Sequence, residues 1–148
     1  MSLLRRFSRA ESGQALIEAA IVAPALVLLI VGTIDLGRFA EFDTKLAASA
    51  RAGAQFGAQS LVNAANTTGM QTAATNEASG AGFSATATNY CQCPGSSSTV
   101  TCTAGACAGS HRLLYVSVTV SGTFKPIFKY FSGENSTHSH TAVLEVGQ

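Results

Sequence analysis

The stretch that decides the fold is Ser12–Glu18, which reads SGQALIE, together with the apolar run Ala19–Ile34 that follows it. The 21 residues of Gln14–Ile34 carry one charge, Glu18. At about 1.5 Å per residue a helix of this length matches a hydrocarbon core of roughly 30 Å. An ionised side chain inside such a helix costs on the order of 2.5–3.5 kcal/mol on insertion scales. We therefore predict a membrane-spanning helix in which Glu18 has a functional partner. The alternative is that its carboxyl extends to the cytoplasmic interface, about one turn away.

The charges that flank the apolar run predict its direction. Three arginines and one glutamate precede it within residues 1–13, a net charge of +2, whereas residues 35–45 are mixed in sign. Basic residues favour the cytoplasmic side, so we expect residues 1–13 in the cytoplasm and the C-terminal part across the membrane. A secretory signal peptide is the alternative, but Glu18 would fall in its apolar segment and no clean A-x-A site closes the run.

The helix is predicted to continue beyond the membrane. Apolar residues recur there at steps of three to four: Leu36, Phe39, Phe42, Leu46, Ala50 and Ala54. Small residues form an edge that lets another backbone approach closely: Ala47, Ala50, Ala54 and Ala58. Gly53 and Gly57 weaken the helix and predict its end near 57–60. We assign 14–34 to the membrane half and 35–60 to the extramembrane half, with a kink expected at Pro24.

Residues 61–148 are expected to form an exported α+β domain. Thr68–Ser79 is predicted as a second, shorter helix that covers a sheet. Residues then alternate with a period of two in four segments, which predicts strands of an antiparallel sheet: Phe83–Thr88, Thr99–Cys102, Leu114–Ser121 and Thr141–Val146. The aromatic side chains of segment 122–131 are expected to pack between helix and sheet. An exposed contact patch is the alternative.

All four cysteines lie in one stretch: Cys91, Cys93, Cys102 and Cys107. An even number on the far side of a membrane predicts two disulfides. A Cys91–Cys93 bridge is strained, which leaves Cys91–Cys102 with Cys93–Cys107, or Cys91–Cys107 with Cys93–Cys102. Zinc is the competing interpretation, with histidines 111, 138 and 140 as further ligands, but the spacing does not match the common C-x2-C knuckles. We expect His138 and His140 in a solvated loop before the last strand.

Composition argues against an enzyme and against a nucleic-acid partner. Only 11% of the residues are charged, the formal net charge is +1, and no basic stripe exists. The sequence has no nucleophile elbow, phosphate loop or H-E-x-x-H motif, and beyond residue 45 its acidic residues are scattered: Glu77, Glu134 and Glu145. We therefore expect a structural or interaction protein without catalytic residues, metal or cofactor.

The helix also carries motifs that resemble a known family. The segments GQALIEAAIVAP at 13–24, LL at 28–29, IDLGR at 34–38 and AASARAGA at 47–54 are similar to the TadE-like family, minor pilins or pseudopilins of the bacterial tight-adherence (Flp, type IVc) pilus. The resemblance covers residues 12–56. It implies a leader at 1–13 that a prepilin peptidase removes by cutting Gly13–Gln14, with Gln14 as the new and methylatable N-terminus. It also implies that Glu18 and Pro24 lie in the helix through which subunits assemble.

The resemblance implies a pilin-like fold and a role in surface adhesion. Its implied partners are the prepilin peptidase, other pilin subunits in a homo- or hetero-oligomer, and the pilus assembly machinery. The implied location is the bacterial inner membrane with a periplasmic domain, or a cell-surface pilus. The alternative is an uncleaved signal-anchored protein whose exported domain binds a partner or ligand.

Overall fold

The computed structural model describes residues 10–79, 82–103, 105–107, 111–127 and 135–147. Three helices precede four strands: α1 (Ala10–Ala58), α2 (Leu61–Ala65), α3 (Thr67–Glu77), β1 (Ser84–Gln92), β2 (Thr99–Val100), β3 (Leu113–Phe124) and β4 (Ser136–Glu145). The strands form one antiparallel sheet in the order β2-β1-β3-β4. A long N-terminal helix on a small antiparallel sheet confirms the predicted α+β class.

Helix α1 has two halves with different surroundings. It is 49 residues long and continues through Pro24 without interruption. Its most apolar window has a mean hydropathy of 2.5 and none of it is buried, and it is long and apolar enough to cross a membrane. From Asp35 onward the helix contacts the domain, and Leu46, Ala50 and Ala54 are buried there. The predicted end near residue 57 is confirmed, whereas a kink at Pro24 stays a prediction.

The central strand β3 supplies the buried face of the sheet. Val116, Val118 and Val120 are fully buried, as their alternation predicted. The opposite face carries hydroxyl side chains that bond across strands, with Thr119 Oγ1 2.8 Å from Thr141 Oγ1. Burial on one face therefore fixes the register, because a slip of one residue would turn the valines outward.

Helix α3 lies against α1 at two glycines, Gly53 and Gly57. A Cβ at Gly57 would lie 2.3 Å from the Met70 sulfur, and Met70 is fully buried in the core. Ala54 and Ala74 are buried in the same cluster. The small residues of α1 thus allow α3 of the same chain to approach closely, in line with the prediction from the small-residue edge.

Several boundaries differ from the predictions. Strand β1 extends to Gln92 rather than ending at Thr88, and the short helix α2 was not predicted. Strand β4 begins at Ser136, so the prediction of a solvated loop at His138 and His140 is wrong. Both rings face α1, where they contact side chains of that helix.

The aromatic segment 122–131 is only partly described. Phe124 is buried between the helix and the sheet, as predicted, with its ring 5.3 Å from that of Phe39. Pro126 is also buried, whereas Ile127 is exposed. The remaining predicted aromatics, at 128, 130 and 131, lie outside the described residues.

Candidate functional site

The predicted processing and assembly residues lie on the exposed start of α1. Gly13, Gln14 and Glu18 fall within the helix, and the side chains of Gln14 and Glu18 are exposed. Among the described residues, no ion pair or side-chain hydrogen bond involves Glu18. Its carboxylate is therefore open to a partner from outside this chain.

Beyond Gln14, the surface around Glu18 is mostly aliphatic. Large aliphatic side chains are exposed along the membrane half: Leu16, Ile17, Ile21, Val22, Leu26, Val27, Leu28, Leu29, Ile30 and Ile34. A helix that is apolar all round requires lipid or other helices around it. This part of α1 can thus serve both as an anchor and as a contact between subunits.

The junction between the exposed half of α1 and the domain is built on Asp35. The backbone N–H of Ile127 donates to the Asp35 carboxylate, with 3.1 Å from the nitrogen to each oxygen. Arg38 donates from Nη1 to Oδ1 of Asp35 at 3.1 Å, and its guanidinium lies 5.8 Å from the Phe124 ring centre. Asp35 is the first charged residue after the apolar run, so the domain is attached where the predicted span ends.

A second set of contacts joins α1 to β4 on the side of this junction that is further from the predicted span. Nε2 of His140 lies 2.8 Å from Oδ1 of Asp43. The ring of His138 lies 5.1 Å from that of Phe39 and 6.2 Å from that of Phe42. Because β4 and α1 contact each other in the same residue order, the two elements run in parallel.

An apolar groove of about 720 Å³ lies on the side of these contacts that is nearer the predicted span. Ala25, Leu28 and Gly32 line one wall, and Phe124 and Pro126 line the other. The groove therefore begins on the predicted membrane span and ends under the sheet.

The four cysteines form two bridges in the described region. Cys91 pairs with Cys102 and Cys93 pairs with Cys107, with Cα–Cα distances of 5.2 and 5.5 Å. This is one of the two pairings that the sequence left open. Bridged cysteines offer no thiolate, so the zinc interpretation loses its principal ligands.

Sequence reasoning did not assign roles to Asp35 and Asp43, and it considered His140 only as a loop residue or an alternative zinc ligand. The sequence did contain a local signal for the role of Asp35, since Asp35 is the first charged residue after the predicted span. The other two had none, because their contact joins residues that are 97 positions apart.

The comparisons with known proteins agree with the resemblance. No curated protein and no solved structure matches the chain. The model of the family described as TadE-like protein matches residues 13–55, which include Gly13, Glu18 and Asp35. The predicted resemblance is thereby confirmed: residues 13–55 of this chain are similar to the TadE-like family.

Proposed function

We propose that the protein is a structural, pilin-like subunit of a tight-adherence pilus and not an enzyme. A prepilin peptidase cleaves Gly13–Gln14, α1 anchors the mature chain in the inner membrane, and the domain that follows lies in the periplasm. The subunit joins or caps the pilus and thereby serves adhesion. The observation that carries this proposal is the exposed Glu18 on an apolar helix, which has no partner among the described residues and lies in the segment that matches the TadE-like family.

The chemistry of the helix start explains the role of Glu18. After cleavage, Gln14 carries a free amino group, and Glu18 lies four residues along the helix, about 6 Å away. An unpaired carboxylate in the bilayer is driven towards its protonated form. An ion pair with the amine of a neighbouring subunit offsets the desolvation of both charges and fixes the register between the two helices.

The alternative of an uncleaved signal-anchored protein makes a different demand on Glu18. A plain anchor needs only hydrophobicity, so replacement of Glu18 by leucine would leave its insertion intact or improve it. Assembly, by contrast, needs the carboxylate. Substitution at this one position therefore separates the two functions.

The experiment compares Glu18→Leu with the wild type in cells that express the pilus system. We expect at least about a tenfold loss of the protein from filaments sheared off the cells, because one charge of a pair is removed. The amount in the membrane should not fall. Glu41→Gln on the same helix is the matched control, since Glu41 is exposed beyond the span and its ion-pair partner in the described part of the chain is Lys45. Equal incorporation of Glu18→Leu and the wild type would contradict the proposal.

A further inference from the structure

We propose that the membrane-proximal end of the sheet is a second membrane contact, in which Lys125 and Ile127 rest on the phospholipid surface that α1 crosses. This inference rests on the proposed function only in that α1 spans the bilayer. The partner is the phospholipid of the leaflet that faces the domain. We call residues 125–127 the foot.

The depth of the foot follows from one contact. The apolar run ends at Ile34, so Asp35 lies at the boundary between hydrocarbon and water. Both oxygens of Asp35 lie 3.1 Å from the backbone nitrogen of Ile127. The foot is therefore fixed at the level of the lipid boundary, although it lies 92 residues further along the chain.

The side chains of the foot suit that boundary. Pro126 is buried, while Ile127 is 59% exposed and Lys125 is exposed. An aliphatic side chain gains from contact with acyl chains, and a lysine ammonium is attracted to anionic headgroups.

The groove lies between the predicted membrane span and the end of β3, which places that end of the sheet over lipid. Its α1 wall reaches from Asp35 back to Ala25, roughly 15 Å into the predicted hydrocarbon at 1.5 Å per residue. Its other wall includes Pro126 of the foot and the neighbouring Phe124. Water would be unfavourable in an apolar space that opens at this depth, so acyl chains are the occupant that the location favours.

The chain contains no tryptophan, which allows a direct test. Single tryptophans are introduced into the full-length protein as Ile127→Trp, Leu29→Trp and Val62→Trp. Leu29 lies in the predicted span, and Val62 is 78% exposed on α2, beyond the far end of α1. Each variant is reconstituted into phosphatidylethanolamine and phosphatidylglycerol vesicles whose acyl chains carry bromine, which quenches nearby tryptophan fluorescence.

We expect strong quenching of Leu29→Trp, a loss of at least about half of the Ile127→Trp signal, and little change in Val62→Trp. Quenching of Leu29→Trp without quenching of Ile127→Trp would overturn the foot and leave the membrane span intact. Absence of quenching at both positions would overturn the span and the foot together. The failures of the two proposals are thus distinguishable.

A second pair of variants tests how the foot is positioned. Asp35→Ala in the Ile127→Trp background should reduce quenching at least about twofold, because it removes the acceptor of the Ile127 N–H. Asp43→Ala is the matched control: it lies on the same helix, its described partner is His140, and it should leave quenching unchanged. Equal quenching in all three proteins would show that Asp35 does not position the foot.

A helix of a neighbouring subunit is the competing occupant of the groove. Quenching of Ile127→Trp that stays the same at every protein-to-lipid ratio supports phospholipid. Quenching that falls as the protein-to-lipid ratio rises would assign the groove to a second subunit instead.

Discussion

Gly53 of α1 faces the backbone carbonyl of Met70 so closely that a Cβ on Gly53 would lie 2.7 Å from that oxygen. The same Cβ would lie 2.9 Å from Cγ1 of Val118. The close packing of α1, α3 and β3 thus depends on the absence of a side chain at Gly53, as it does at Gly57.

Gly53→Ala is predicted to destabilise the domain by about 1–3 kcal/mol, because the obstructing oxygen belongs to backbone and cannot rotate away. Guanidinium denaturation of the full chain in detergent, followed by near-ultraviolet circular dichroism, measures the change in the free energy of unfolding.

Gly37→Ala is the matched control on the same helix. Its Cβ would meet no described atom within 4 Å, and Gly37 is exposed. We expect this substitution to be neutral or to stabilise the helix by up to about 1 kcal/mol, through helix propensity alone. A loss of stability equal to that of Gly53→Ala would show that glycine flexibility, rather than close packing, matters in α1.

The disulfide pairing can be tested by counting thiols in double variants. Cys91→Ala with Cys102→Ala should leave one intact bridge and no reactive thiol in the unfolded chain. Cys91→Ala with Cys107→Ala should leave two unpaired cysteines, and both should react with a thiol reagent. The reverse result would establish the other pairing.

Loss of the Cys91–Cys102 bridge should also lower stability. A bridge across a sequence separation of 11 contributes roughly 2–4 kcal/mol by restricting the unfolded chain. The midpoint of denaturation of the Cys91→Ala, Cys102→Ala variant should fall accordingly. A chelator should leave the wild-type midpoint unchanged, and a shift with chelator would favour a metal instead of bridges.

The pH dependence of Tyr115 provides a further prediction. Partial burial raises the pKa of Tyr115 above 10, and the charge of Glu145, its neighbour on β4, raises this pKa further. The neutral phenol therefore stabilises the fold below pH 10, and this contribution is lost as pH rises through the folded-state pKa. Glu145→Gln should lower the pKa of Tyr115, because it removes the negative charge.

An absorbance titration at alkaline pH measures this shift, with Tyr115→Phe as the reference that isolates the Tyr115 signal from the other tyrosines. An unchanged midpoint in Glu145→Gln would contradict the assigned cause.

The elements that could be predicted are those whose residues repeat with a period. The steps of three to four in α1 and the alternation from Leu114 to Val120 both follow from burial on one face. The start of β4 could not be predicted in this way, because the inward positions there are His138 and His140. These side chains are not apolar, and they are half-buried because Phe39, Phe42 and Asp43 lie opposite.

The candidate site likewise contains a residue that the sequence predicts and a contact that it does not. Glu18 could be identified because a charge in an apolar run is conspicuous within a single helix. The contact between Asp35 and Ile127 could not, since it joins residues 92 positions apart and only the fold brings them together. Helix α2 also had only a local signal, the N-cap of Ser60 that accepts from the Asn63 N–H, and five residues are too few to show a period.

The most direct measurement is the intact mass and N-terminal sequence of the protein from its own membranes, beside Gly13→Ala and the control Gly32→Ala. We predict that the wild type and Gly32→Ala begin at Gln14, and that Gly13→Ala keeps residues 1–13. A wild-type chain that begins at Met1 or Ser2 would contradict cleavage and favour the signal anchor. A chain that begins after Ile34 would show that the apolar run is a signal peptide and not part of the mature protein.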